Sequence, residues 1–415
     1  MRDLRRLGSL SLVIALMAGC AASRSDPKAD DAQVKQFSGR GYLTDDQYGV
    51  ATSNASWPCG GAACDVALTV PSKPGRYPLV IYLPGLGEGP IAGEAWRTAW
   101  TRAGYAVLSL QPLAEDAGAW SSARARTGDF ALLARERYSG KAMSERLGAL
   151  HDALRQLARR HAAAEPPLER VDLSRIAVAG FDLGAFTAMA IAGEDVRDVV
   201  VPQLPVSIRA VIALSPYASF SGPSFASRYG AIRLPVLSLT SDADGDALGV
   251  VTGAHLRRAP FEHMPAGDKY LALLAGMPHG VFSGASTAPA GEPDHRPADS
   301  RSPSRPAGPT GGRGGSGGHG HFSGASAAAA GSHGSDSSGR RSAGRADGGH
   351  GDHGAPAGNL RQRASPTELA IGVAAVQAIS TAFLDAIMKE DKIAREWLEK
   401  DASRWLQGKG ELRRR

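Results

Sequence analysis

Three observations predict an α/β fold built on a doubly wound, mostly parallel sheet. Short apolar runs recur as PLVIYL (78–83), GYAVLSL (104–110), RIAVAG (175–180), IRAVIAL (208–214), PVLSLT (235–240) and KYLALLA (269–275). Continuous apolar strands of this length belong to sheets that helices cover on both faces. Helical stretches alternate with them, most clearly where Met143, Leu147, Leu150, Leu154 and Leu157 step by four and three. That spacing puts one apolar stripe against a sheet. Glycine-rich turns follow the strands, PGLGEG (84–89) after the first and GFDLG (180–184) after the third. Strands alternating with helices and turns imply a parallel sheet rather than a sandwich.

The remaining elements follow from composition. DVALTV (65–70) reads as an antiparallel strand at one edge of the sheet. Residues 285–364 are dominated by Gly, Ser, Ala, Pro, Arg and His, as in GGRGGSGGHGHFSGAS. Such a segment buries too little apolar surface to offset its ordering entropy, so it is expected to be a disordered insertion. Ser365-Pro366-Thr367-Glu368 then forms a capping-box pattern with proline at the first helical position. Val373, Val376, Ile379, Phe383 and Ile387 continue at helical spacing, and Trp397, Leu398, Trp405 and Leu406 supply a second short helix. One domain is therefore expected from residues 41–284 plus 365–406.

The first 19 residues read as an export signal: Arg2, Arg5 and Arg6 precede an apolar core from Leu7 to Ala18 that is short for a bilayer span. It closes on Met17-Ala18-Gly19-Cys20, which resembles the bacterial lipobox, with Met17 where leucine is usual. The resemblance implies a lipid-anchored protein of the bacterial cell envelope, acylated on Cys20 and facing the periplasm, with Ala21 pointing to the outer membrane. Residues 20–40 are polar and read as a flexible tether. In an oxidising periplasm, Cys59 and Cys64 of CGGAAC are expected to form a local disulfide, since no further ligands for a metal stand nearby. The net charge is +6, with basic residues scattered rather than striped, which gives nucleic-acid binding no support. A hydrophobic fraction of 43% suffices for a real core. No metal or organic cofactor is called for.

In an open α/β sheet, ligands bind at the C-terminal ends of the strands. Three features line up there. Gly180 and Gly184 flank Asp182 on a strand-to-helix turn of the G-x-S-x-G elbow type, with aspartate where that motif has serine. Ser241-Asp242-Ala243-Asp244-Gly245-Asp246 follows PVLSLT, and Gly276-Met277-Pro278-His279-Gly280 follows KYLALLA. Elbow, acid and histidine in this order resemble the α/β-hydrolase superfamily, in particular its dienelactone-hydrolase-like and plasma platelet-activating-factor-acetylhydrolase-like members. RIAVAGFDLGAFTAM is similar to their RIGVAGHSFGAFTA segment, PLVIYLPGLGEG to PLVVFSHGLGG, and MPHGVFSG to ADHxxFSG. The resemblance implies Asp244 as triad acid, with Asp242 and Asp246 as substitutes, His279 as general base, and an oxyanion hole from the backbone amides of Leu86 and Leu183.

Aspartate changes the expected chemistry. Serine needs a base to become a nucleophile, whereas a carboxylate is already ionised. It suits attack at saturated carbon, as in the haloalkane dehalogenases and epoxide hydrolases of the superfamily, while attack on a carboxylic ester would give a mixed anhydride. Those enzymes usually carry Trp after the Asp, where Leu183 stands here, and a cap domain between the fourth and fifth apolar runs, where only about twenty residues lie. Tyr217 and Tyr229 in that stretch are candidates to polarise a leaving oxygen. The expectation is thus a hydrolase of a small ester-like or related substrate through Asp182 and a His279–Asp244 pair. A non-catalytic binding lipoprotein and an aspartate-nucleophile hydrolase of C–halogen or epoxide bonds stand as alternatives.

Overall fold

The computed structural model describes residues 27–44, 46–246, 248–251, 253–285 and 364–415. The export signal, Cys20 and most of the expected insertion lie outside the described residues. The strands are β1 (Val50–Cys59), β2 (Ala62–Pro71), β3 (Tyr77–Leu83), β4 (Ala106–Leu110), β5 (Val171–Phe181), β6 (Ile208–Leu214), β7 (Val236–Ser241), β8 (Lys269–Leu274) and β9 (Gly410–Arg414). They make one sheet in the order β1-β2-β4-β3-β5-β6-β7-β8-β9. The apolar runs of the sequence are its parallel centre, β4 through β8. β1, β2 and β9 pair antiparallel at the two sides.

Side-chain alternation along these strands feeds two cores. On β3, Leu79, Ile81 and Leu83 face one cluster and Val80 and Tyr82 the other. The principal helices are α1 (Pro27–Ser38), α2 (Glu94–Arg102), α3 (Gly140–Ala162), α4 (Leu183–Ala192) and α5 (Pro366–Met388). Leu150, Leu154 and Leu157 of the α3 stripe and the small residues Ala185, Ala188 and Ala192 of α4 cover the first face, while Met143 and Leu147 pack instead with Tyr138 and Phe186. Trp96 and Trp100 of α2, with Val376, Ile379 and Phe383 of α5, cover the second. The capping box opens α5 as expected: the Glu368 N–H donates to Ser365 Oγ, and the Ser365 N–H donates to Glu368 Oε2 at 2.8 Å. α5 is long and apolar because it is a core helix, joined to the second face by Trp100 Nε1–Ser380 Oγ (2.9 Å) and Tyr105 OH–Asp385 Oδ1 (2.7 Å).

Four features depart from the sequence expectation. DVALTV is not at the edge, because β1 pairs along the whole of β2. β1 is exposed over most of its length, so its polar sequence carries no apolar alternation to read. Its turn is Gly60-Gly61, both at positive φ (58° and 85°), the backbone a two-residue hairpin requires. The Cys59–Cys64 disulfide crosses this hairpin, with both cysteines buried. Part of the expected tether is the helix α1, whose Phe37 stacks on Trp405 at 4.4 Å and accepts a backbone bond from its indole. The strand β9, with Arg413 and Arg414, lies beyond the expected domain end at residue 406. Finally, short helices at Ala114–Ala117, Ala123–Arg126 and Phe130–Arg137 lie between β4 and α3.

Candidate active site

The elbow between β5 and α4 is built as its glycines require. Asp182 takes φ 50° and ψ −106°, a conformation that non-glycine residues hold only when their surroundings impose it. A Cβ at Gly184 would overlap the Leu83 carbonyl, and one at Gly180 would overlap the Gly184 backbone. Close approach of β3, β5 and α4 thus fixes the turn and presents the Asp182 side chain above the sheet, 14% exposed.

His279 follows β8 and Asp244 follows β7. His279 Nδ1 lies 2.8 Å from Asp244 Oδ1, and its Nε2 points toward Asp182, 3.9 Å from Oδ1. Asp244 is fully buried, which alone would raise its pKa. The His279 hydrogen bond, the charges of Arg257 and His279 and a Thr240 hydroxyl bond at 2.7 Å outweigh burial and hold it below the ordinary carboxylate value. Burial likewise pushes the His279 pKa down, and the Asp244 bond with the charges of Asp182 and Asp244 reverses this to a net rise. Of the substitute acids, Asp242 accepts the Gly276 N–H (2.8 Å) and Asp246 accepts the N–H groups of Leu248 (2.9 Å) and Val251 (2.6 Å). Both organise loops, and Asp244 is the acid brought to His279.

Two residues support the pair from positions the sequence did not single out. Ser215, just past β6, is buried at φ 53° and places Oγ 2.8 Å from Asp244 Oδ1 and 2.9 Å from His279 Nδ1. Arg257 is buried too; its Nε stands 3.3 Å from Asp244 Oδ1, and its Nη1 donates to the Ser215 carbonyl at 2.9 Å.

The short helices of residues 114–137 lead to Tyr138. Tyr138 ends this segment, is buried, and hydrogen-bonds the Asp182 carboxylate. Burial, the Asp182 charge and that bond hold its phenol well above the ordinary tyrosine value. Tyr217 packs on Tyr138 in a tilted arrangement, ring centroids 4.7 Å apart. Tyr229 stands instead with the buried Arg228–Glu194 pair, its ring 5.3 Å from the Arg228 guanidinium. Tyr138 is the tyrosine at the carboxylate; in sequence it carries no motif, and only the packing of its segment brings it there.

The loop after β3 approaches from the other side. Leu86 is buried in it and packs in one cluster with Leu183, the first residue of α4. The neighbouring Gly85 N–H donates to Glu88 Oε2 at 2.8 Å. Glu88, quoted in sequence only as part of a glycine turn, is therefore a second carboxyl at the site. Burial first, then the Asp182 charge, push its pKa up to about 7, against the Gly85 bond and the His279 charge. An elbow carboxylate, a second carboxyl whose pKa is raised, a histidine with an acid behind it, and a buried phenol can together support nucleophilic attack and proton transfer. No known protein family and no curated protein matches this chain, so what the site does is read from its own geometry.

Proposed function

We propose that the chain is a hydrolase of the α/β-hydrolase type, in which Asp182 attacks saturated carbon and His279 then activates water. The observation that carries this reading is the His279 ring held between Asp244 Oδ1 (2.8 Å) and Asp182 Oδ1 (3.9 Å) on the elbow. In the first half-reaction Asp182 forms an alkyl ester with the substrate. In the second, His279 takes a proton from water, which attacks the ester carbonyl while Asp244 stabilises the imidazolium. A carboxylic ester is the weaker candidate substrate, because attack there yields a mixed anhydride and because Glu88 occupies the Gly85 amide beside the implied oxyanion hole. We further infer from the lipobox-like Cys20 that the enzyme works lipid-anchored at the cell envelope.

Single turnover in heavy-oxygen water tests the chemistry. One labelled oxygen is expected in the Asp182 peptide after one cycle on an alkyl substrate, and none in Asp182→Asn. Turnover without label at Asp182 would replace this mechanism by direct attack of water. Absence of turnover on epoxide, haloalkane and ester panels would favour the binding-lipoprotein reading.

A further inference from the structure

The Pro84–Gly89 loop does more than line the elbow. It is pinned on several sides: Gln111 Nε2 donates to the Gly85 carbonyl (3.0 Å), and the Gly87 N–H donates to the Asp116 carbonyl (2.8 Å). A side chain on so constrained a loop has little freedom, and Glu88 spends one carboxyl oxygen on the Gly85 N–H at 2.8 Å. That leaves Oε1 as the group it can offer to the site. The charged and titratable groups that face it are Asp182 and His279 from the elbow and the β8 end, and Tyr82 from β3.

Resting on the hydrolase reading above, we propose that Glu88 is the general acid that protonates the departing oxygen when Asp182 attacks, so that the substrate is an epoxide-like C–O compound rather than a haloalkane. A halide needs N–H donors or cations where it leaves, and a carboxyl supplies neither. Glu88 Oε2 is held at Gly85, which packs against Phe181, whose ring centroid lies 4.9 Å from that of His279. An alkoxide is too basic to leave unprotonated, and a neutral carboxyl meets that need. With its pKa near 7, Glu88 carries that proton in about half the molecules at neutral pH, while Asp182 serves as nucleophile.

The steps balance. The Asp182 oxygen bonds to carbon as the C–O bond breaks, and the released electron pair takes the Glu88 proton to give an alcohol. His279 then removes a proton from water, and the hydroxide adds to the Asp182 ester carbonyl. The second alkoxide leaves with the His279 proton, and the Asp182 carboxylic acid so formed returns a proton to Glu88. The sum is addition of one water across one C–O bond, a diol when the substrate is an epoxide.

The test compares alkylation of Asp182 in the full chain by styrene oxide, whose oxygen must be protonated, and by 1-bromobutane, whose leaving group needs no proton. Both are followed by peptide mass spectrometry under single-turnover conditions. Glu88→Gln keeps an acceptor for the Gly85 N–H and is expected to slow alkylation by the epoxide about 10²- to 10⁴-fold, with the bromoalkane rate unchanged or faster. Glu88→Asp, a shorter acid, is expected to retain part of the epoxide rate, and a thermal melt of both variants controls for folding. Equal losses for both reagents, or no loss for either, overturn the proposal while leaving Asp182 as nucleophile. Wild-type protein in which neither reagent labels Asp182 overturns the hydrolase reading itself, and this proposal with it.

Discussion

Ser215 shows how the site is held at the level of single residues. It is a buried non-glycine residue at φ 53°, a strain of order 1 kcal/mol that its hydroxyl bonds to Asp244 and His279 justify. It acts as a positioning residue. Ser215→Ala keeps the strain and loses the hydroxyl, with an expected fall in kcat/KM of about 10-fold. Ser215→Gly should lose the same activity yet be about 1 kcal/mol more stable than Ser215→Ala by chemical denaturation. Equal stabilities would remove strain from the account. Steady-state kinetics with pH reads the same pair differently. His279 must be neutral to accept a proton from water, and its pKa is raised in the free enzyme. Esterifying Asp182 removes one of the charges that raise it, so the water-attack step should accelerate with pH through an inflection lower than that of the free enzyme's histidine. Asp244→Asn removes a hydrogen bond and a charge that raise it, and should move the inflection down. The linked stability follows the shifts: the His279 contribution is present below its unfolded pKa and lost as pH rises through the folded one. The Asp244 contribution runs the other way, present above the unfolded carboxylate value and lost as pH falls through the lowered one.

At the scale of elements, the segment that leads to Tyr138 is fastened around a buried carboxylate, Asp116, which pairs with Arg146 and, at 3.9 Å, with Arg137. Asp116 is buried on the first of the short helices, and its Oδ2 lies 2.8 Å from Nε of Arg146 on α3. Arg146 Nη2 also donates to the Arg137 carbonyl at 3.0 Å, next to Tyr138. The Asp116 carbonyl meanwhile holds the Gly87 amide, so one residue joins the Tyr138 segment to the Glu88 loop. Arg146→Met leaves the buried Asp116 carboxylate with only the longer, 3.9 Å contact to the partly exposed Arg137 and is expected to cost about 3 kcal/mol, read as a lowered urea midpoint. The double variant Asp116→Leu/Arg146→Met should lose less than Arg146→Met alone, since no charge is then stranded. A single variant with an unchanged midpoint would mean that the pair does not hold the segment.

Across the whole molecule, the sheet is finished by the far end of the chain. β9 pairs along β8 from Tyr270↔Arg414 to Leu274↔Gly410, and Leu412 packs into the second core. Removing residues 410–415 strips the partner from a buried parallel strand and exposes its N–H and C=O row. The truncated chain is expected to self-associate, seen as a shift to larger species in size-exclusion chromatography with light scattering. A monomeric truncation of unchanged melting temperature would show that β8 needs no cover.

How much of this was legible in the sequence differs by the range of the interaction. The parallel centre of the sheet, the stripe of α3, the capped start of α5 and the Asp182, Asp244 and His279 positions are written in local pattern: apolar runs, helical spacing, and motif residues just past strands. Burial on both faces and steric demands at the elbow act over a few residues, so the chain carries them in its order. Tyr138, Ser215, Arg257 and Glu88 carry no such pattern; they matter through partners tens of residues away, such as Ser215 with His279 across 64 positions. β1 and β9 are polar strands whose pairing is backbone hydrogen bonding, which leaves no mark on side-chain alternation. The sequence by itself determined an α/β sheet and where along the chain its reactive groups stand. Only the tertiary structure decided which buried groups surround the Asp182 carboxylate, because desolvation and charge proximity exist only once distant segments are packed together.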